Sequence, residues 1–235
     1  MSEPSKAWRR IQPAAVLFDL DGTLVDSAPD IAAAVNELLT QDGIEPHPVS
    51  AVRKMIGHGL EKLVERAFEA RSVTLSSQAL AGRHAAMNKV YARHLTDLTT
   101  LRPGSAEAVR AVRADGIGCA VVTNKPEAFS YTILAHFDLL PDIETVVGGD
   151  SGYPKKPAPD MLLAACDRLG VPPGETVLVG DSGADLASAR AAGIACILVR
   201  GGYCDRPVDE LGADLVIADL NALPAVLGLT EEASP

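Results

Sequence analysis

Short apolar runs alternate with amphipathic segments along residues 104–228. The amphipathic segments have helical spacing, and two of them are followed by the helix-ending glycines Gly116 and Gly170. The apolar runs have the length and the β-branched content of buried parallel strands; they are IGCAVVT, ETVVGG, TVLVG, IACILV and ADLVIA. Strands that alternate with helices predict an α/β fold with a Rossmann-like parallel sheet and helices on both of its faces.

The segment between residues 28 and 98 breaks this alternation. It follows a first strand-like run, Ala14 to Phe18, and contains stretches with helical spacing only: APDIAAAVNELLTQDG, VSAVRKMIG, LEKLVERAFEAR and SSQALAGRHAAMNKVYARHL. We therefore expect a small all-helical domain, residues 28–98, inserted into an α/β core of residues 13–27 and 99–228. The turn-rich stretches DSAPD and LTTLRPGS would link the two, and residues 1–12 and 229–235 would be flexible tails.

The composition of the chain restricts the partners, the location and the kind of metal site that can be expected. The chain has 235 residues and a formal net charge of -10, which argues against nucleic acid or an anionic membrane as the partner. No apolar stretch approaches the roughly 20 residues of a membrane span or the roughly 7–15 of a signal peptide core, so the predicted location is cytoplasmic. The four cysteines form no C-x-x-C pair, which indicates free thiols and no zinc site.

Polar side chains follow three of the predicted strands directly. Parallel strands bring their carboxyl ends to one edge of a sheet, where ligands bind. The residues expected at this edge are Asp19, Asp21, Thr123, Asn124, Asp181 and Asp185, and a loop before a helix adds Lys155 and Lys156. Each residue alone is compatible with an ordinary turn or helix cap, but a group of carboxylates at one edge needs a positive counter-charge.

A bound Mg²⁺ ion would supply the positive charge that this group of carboxylates needs. All-oxygen ligation favours Mg²⁺, and a nearby lysine and threonine hydroxyl would hold phosphoryl oxygens. In such a site Asp19 would attack phosphorus, and Asp21 would protonate the leaving alcohol and later take a proton from water. Gly22 would allow the tight turn beside them.

Four segments carry a resemblance to a known family. They are DLDGT (residues 19–23), VVTNK (residues 121–125), KKPAPD (residues 155–160) and GDSGAD (residues 180–185). In this order they resemble the four motifs of the haloacid dehalogenase-like phosphatases. The resemblance covers nearly the whole chain, and it implies that the helical insertion is the small cap domain of that family.

The resemblance also implies roles for the acids. Asp19 would be the nucleophile and a Mg²⁺ ligand, Asp21 the general acid and base with a metal-binding backbone carbonyl, and Asp181 a further metal ligand. Asp185 would either bind the metal through water or orient Lys156. Dehalogenases of the same fold lack an acid at the place of Asp21, so the resemblance implies a phosphatase.

The remaining motif residues would bind the phosphoryl group. Thr123 and the backbone of Asn124 would hold it, and Lys156 would neutralise the aspartyl phosphate, with Lys155 as the alternative lysine. In the cap segment GHG, His58 is interpreted either as a contact to the substrate carboxylate or as an exposed loop residue.

Several longer segments are similar to the phosphoglycolate phosphatase branch of this family, among them FDLDGTLVDSAPDIAAAVNELL and IGHGLEKLVERAF. This similarity implies hydrolysis of 2-phosphoglycolate, a small phosphorylated metabolite. The chain is expected to be a monomer or a homodimer. The alternatives are a phosphatase for a sugar or amino-sugar phosphate and a β-phosphoglucomutase-like phosphomutase. Phosphonoacetaldehyde hydrolysis would need a cap lysine that nothing singles out. A binding protein on an inactive core is disfavoured because all the reactive groups are present.

Overall fold

The computed structural model describes residues 12–229. Within this range eight strands form two sheets. The strands are β1 (Ala15–Phe18), β2 (Val25–Asp26), β3 (Thr100–Leu101), β4 (Gly118–Val122), β5 (Thr145–Val147), β6 (Thr176–Gly180), β7 (Ala195–Val199) and β8 (Leu215–Ile217). The predicted tails lie outside the described residues, apart from residues 12 and 229.

Nine α-helices are present in the same range. They are α1 (Ala28–Gln41), α2 (Val49–Arg53), α3 (Leu60–Glu69), α4 (Ser77–Tyr91), α5 (Ser105–Ala114), α6 (Glu127–His136), α7 (Asp160–Leu169), α8 (Gly183–Ala192) and α9 (Leu223–Leu227). Helices α1 to α4 fill most of the segment predicted to be all-helical. The domain boundaries at residues 28 and 98 stay a prediction.

The larger sheet has six strands in the order β5-β4-β1-β6-β7-β8, and every neighbouring pair is parallel. Successive residues of a strand face opposite sides, so Val16 and Phe18 of β1 enter one apolar cluster and Leu17 enters another. The first cluster includes residues of α5 and α6, and the second includes residues of α7 and α8. Helices therefore cover both faces, which confirms the predicted α/β fold.

The two linkers pair with each other, which the sequence analysis did not predict. Strands β2 and β3 form an antiparallel ladder of two residues each, with Asp26 opposite Thr100. Beside it, the buried carboxylate of Asp30 accepts hydrogen bonds from the backbone N–H groups of Leu98 and Thr99 and from the Thr99 hydroxyl. The entry to the helical segment is thereby joined to its exit.

Candidate functional site

The predicted polar residues meet at one edge of the larger sheet. Strands β4, β1 and β6 are neighbours in that order, so their parallel carboxyl ends bring Thr123, Asp19 and Asp181 together. These residues line one pocket, together with Asp21 and Lys156. The sheet topology thus produces the convergence that the sequence indicates.

Three buried carboxylates form the centre of this site. Asp19, Asp181 and Asp185 each present one oxygen atom, and these atoms lie within 4.8 Å of one another. Burial raises the pKa of Asp19 to about 6, although Lys156 opposes this shift. Burial, followed by the nearby charges of Asp185 and Asp19, raises the pKa of Asp181 well above its ordinary value. A set of close oxygen donors whose charges oppose one another fits a hard divalent cation.

Two hydrogen bonds and two nearby glycines fix the position of the Asp181 carboxylate. The Thr23 hydroxyl donates to Asp181 Oδ1 at 3.1 Å, and the backbone N–H of Tyr203 donates to Oδ2. A Cβ atom on Gly22 or Gly202 would lie 2.5 or 2.2 Å from Asp181 Oδ2. Both positions therefore require glycine, and Gly22 also has a φ of +91°.

Lys156 bridges two of the three carboxylates. Its Nζ lies 2.8 Å from Asp19 Oδ1 and 2.6 Å from Asp185 Oδ1, and it also donates to the carbonyl of Val122. Burial lowers the pKa of Lys156, but Asp185 and Asp19 raise it by more, so the side chain stays charged. The alternative, Lys155, is exposed and lies beside Gly59. The structure thus brings Lys156, and not Lys155, to the carboxylates.

Asp185 also caps helix α8. Its carboxylate and the Ser182 side chain form a reciprocal capping box at the start of the helix. Its other oxygen contacts Lys156, which is one of the two arrangements that the sequence left open. Helix α8 therefore fixes the position of Asp185, and Asp185 in turn orients Lys156.

Thr123 and Asn124 occupy the turn after β4. Thr123 is buried and lines the pocket, and its hydroxyl accepts a hydrogen bond from the backbone N–H of Lys125. The Asn124 side chain donates to the carbonyls of Gly57 and Lys156 and accepts from the Lys156 N–H. The amide side chain therefore joins the segments around Gly57 and Lys156 to the turn after β4.

Asp21 has partners that the sequence analysis did not identify. Lys125 donates from Nζ to both carboxylate oxygens of Asp21, at 2.7 and 2.9 Å, and to the Tyr91 hydroxyl at 2.7 Å. The Ser27 hydroxyl donates to Asp21 Oδ1 at 2.5 Å. The position of Lys125, directly after Thr123 and Asn124, was the sequence signal for its place in the site.

Helices α1 and α3 and the loop between α2 and α3 contribute apolar side chains to the pocket. Ile31, Ile56, Leu60 and Leu63 supply apolar lining opposite the charged sheet edge. His58 instead lines a neighbouring pocket with Lys54, Arg66 and Asp205. Burial, and then the charges of Arg66 and Lys62, lower the pKa of His58 below its ordinary value. The structure does not bring His58 to the carboxylates, and its contact with a substrate stays a prediction.

Comparison with known proteins places this site in a family. Residues 13–193 match the haloacid dehalogenase-like hydrolases. The chain belongs to this family. Within this hydrolase, the four motifs supply the residues described at the sheet edge, Lys125 included, whereas Tyr91, Ser27 and Tyr203 are contacts from outside the motifs.

Individual relatives share most of the length of this hydrolase. The plasmid-encoded phosphoglycolate phosphatase of Cupriavidus necator is 43% identical over 218 residues, which are 91% of this chain and 92% of that protein. The crystal structure of a predicted phosphoglycolate phosphatase from Haemophilus somnus has a TM-score of 0.85 and 29% identity and covers 92% of this chain and 98% of its own. CbbY from Rhodobacter sphaeroides, solved in complex with phosphate, has a TM-score of 0.79 and 26% identity over 92% of this chain and all of its own (100%).

Among residues 12–229, every helix is too short or too polar to cross a bilayer.

Proposed function

We propose that this protein is a phosphatase that hydrolyses 2-phosphoglycolate to glycolate and inorganic phosphate through an aspartyl phosphate on Asp19. The observation that carries the reaction type is the placement of Asp19 against Lys156 within the group of three carboxylates. The substrate rests on relatives such as that of Cupriavidus necator, which is named a phosphoglycolate phosphatase and matches 91% of the chain.

Mg²⁺ is the proposed cofactor. Asp19, Asp181 and the backbone carbonyl of Asp21 would hold it, with Asp185 acting through water while it orients Lys156. The donor set fits because its oxygens are close, buried and in excess of the neighbouring positive charge. When bound, Mg²⁺ would neutralise the carboxylates and the charge on the phosphoryl oxygens.

In the first chemical step Asp19 attacks phosphorus and the bond from phosphorus to the ester oxygen breaks. Lys156, the Thr123 hydroxyl and the backbone N–H of Asn124 hold the phosphoryl oxygens as charge redistributes. Asp21 gives its proton to the ester oxygen, which leaves as the hydroxyl group of glycolate.

In the second step Asp21 takes a proton from a water molecule. That water attacks phosphorus, and the bond from phosphorus to Asp19 breaks. Inorganic phosphate leaves, Asp19 is a carboxylate again, and Asp21 regains the proton that it used in the first step.

The helical segment, residues 28–98, is proposed to act as a cap that opens for substrate. Its apolar side chains Ile31, Leu60 and Leu63 line the pocket, and they would exclude bulk water during the first step. The paired linkers β2 and β3 are the expected hinge.

Phosphate release tests this proposal. Purified protein with Mg²⁺ is given 2-phosphoglycolate and, separately, a panel of sugar and amino-sugar phosphates. We expect kcat/KM for 2-phosphoglycolate to exceed the panel by tens of times, and activity to disappear in EDTA and in Asp19→Asn. The matched control is Asp167→Asn, which makes the same change at an exposed position of α7. A preference for a sugar phosphate would overturn the substrate and keep the mechanism, and activity in Asp19→Asn would overturn the nucleophile.

A further inference from the structure

Two lysines line the pocket, and they differ in how their charges are used. Lys156 contacts Asp19 and Asp185, two members of the carboxylate group, and is proposed to hold the phosphoryl group. Lys125 pairs with Asp21, which lies outside that group. Lys125 is therefore the lysine of this pocket that has no assigned part in phosphoryl binding.

The ammonium group of Lys125 is almost fully withdrawn from solvent. Its side chain is 1% exposed, and its Nζ lies 4.8 Å from the centre of the Tyr91 ring as well as 2.7 Å from the Tyr91 hydroxyl. Two of its contacts go to the two oxygens of the same carboxylate, Asp21. An ammonium group has three N–H donors, so it can release one of these contacts to another anion and still hold Asp21 with the other.

The chemistry of 2-phosphoglycolate places a second anion near this lysine. Its carboxylate carbon is two bonds from the ester oxygen, and Asp21 is the acid proposed to contact that same oxygen. Lys125 Nζ is within 2.9 Å of both oxygens of Asp21. A carboxylate on so short a tether therefore comes within reach of Lys125 when the phosphoryl group is at Asp19.

The side chains that residues 28–98 contribute to the pocket lining carry no charge that could pair with this carboxylate. The residues opposite the sheet edge are apolar, namely Ile31, Ile56, Leu60 and Leu63. An enclosed carboxylate is costly unless a cation or hydrogen-bond donor pairs with it. The cations Lys54 and Arg66 line the neighbouring pocket, and Lys155, beside Gly59, is exposed and is not part of this pocket's lining.

We propose that Lys125 determines specificity by binding the carboxylate of the substrate, so that the enzyme selects small phosphate esters that carry a second anionic group. This inference rests on the proposed function. Tyr91, the last residue of α4, contacts the ammonium group of Lys125 and positions it. Recognition of the carboxylate at the sheet edge therefore depends on how α4 packs against that edge.

The test compares 2-phosphoglycolate with ethyl phosphate, which keeps the two-carbon chain and lacks the carboxylate. The measured quantity is the ratio of kcat/KM for the two esters in the wild type, in Lys125→Met and in Lys125→Gln. Glutamine can still donate a hydrogen bond to Asp21 or Tyr91, which guards against a variant that fails to fold. The control is Lys89→Met, which removes the same charge from an exposed position of α4.

We expect the ratio to fall by at least about 30-fold in both Lys125 variants, the size expected for loss of a buried charge partner, and to stay at the wild-type value in Lys89→Met. An equal loss for both esters would show that Lys125 only positions Asp21 and would overturn the inference while the proposed function stands. A wild type with no preference for 2-phosphoglycolate over ethyl phosphate would overturn the proposed substrate itself, before any variant is compared.

Discussion

Lys156 Nζ lies 2.8 Å from Asp19 Oδ1, and both groups are buried at the carboxyl edge of the sheet. Asp185 contacts the same ammonium group from helix α8 at 2.6 Å. Removal of Lys156 would leave the carboxylates of Asp19 and Asp185 without their shared counter-charge. Lys156 is therefore expected to contribute both to catalysis and to the stability of the fold.

The Lys156→Met variant tests that expectation. We expect kcat for phosphate release to fall by a factor of about 10² to 10³, because one donor to the developing phosphoryl charge is lost. The matched control is Lys155→Met, at the exposed neighbour, for which we expect kcat within about threefold of the wild type. A large loss in Lys155→Met with an active Lys156→Met would reverse the assignment of the two lysines.

Gly202 offers a test of the metal site that keeps every proposed ligand residue in the sequence. A Cβ atom there would lie 2.2 Å from Asp181 Oδ2, so Gly202→Ala must displace the carboxylate. We expect the Mg²⁺ concentration for half-maximal turnover to rise at least about tenfold, as for other changes that disturb the support of a metal ligand. Gly183→Ala is the control, because a Cβ at Gly183 has no neighbour within 4 Å. Equal Mg²⁺ requirements in the two variants would contradict a metal-binding role for Asp181.

The sequence predicted the charged edge of the site well. Asp19, Thr123 and Asp181 each follow a buried strand directly, and a parallel sheet leaves little freedom in where such residues go. Lys156 was also accessible to sequence reasoning through its motif. Its preference over Lys155 became a structural observation only when one side chain was seen buried and the other exposed.

Contacts between distant segments were not predictable in the same way. The Lys125 contact with Tyr91 depends on how α4 packs over the sheet edge, and no periodic pattern encodes that packing. The β2–β3 ladder is two residues long on each side, too short to show strand alternation. Tyr203 follows two glycines in a loop, yet its hydroxyl accepts from the backbone N–H groups of Ser27 and Ala28.

The carboxylate of Asp26 is expected to make a pH-dependent contribution to the free energy of unfolding. Burial opposes ionisation, but hydrogen bonds from Arg53 and Tyr203 and the Arg53 charge outweigh it, so the pKa of Asp26 lies below its ordinary value of 3.8. A carboxylate with a lowered pKa stabilises the folded state above pH 3.8, and that stabilisation is lost as pH falls through the lowered value.

The Asp26→Asn variant measures this contribution. We expect its free energy of unfolding to be lower than that of the wild type by about 1 kcal/mol at pH 7, as for a partly exposed ion pair. Urea denaturation at a series of pH values should show the difference persisting to about pH 4.5 and shrinking below the ordinary pKa. A difference that is the same at every pH would exclude ionisation of Asp26 as its source.

Thr99 gives the clearest test of the hinge. Its hydroxyl donates to the buried carboxylate of Asp30 at 2.7 Å, and this contact joins the exit of the helical segment to its entry. Thr99→Val keeps the shape of the side chain and removes the donor. We expect the free energy of unfolding to fall by about 1.5–3 kcal/mol, the range for a hydrogen bond to a charged group.

The same variant separates a stabilising contact from a hinge. If the linkers govern cap opening, kcat should change in Thr99→Val at temperatures where the protein is fully folded. The reason is that the free-energy difference between the open and closed states of the cap would change. Thr132→Val is the control, since its exposed hydroxyl contacts only the carbonyl of Ala128 within α6 in the described structure. A stability loss with unchanged kcat would mean that the Asp30–Thr99 contact holds the fold together and does not govern turnover.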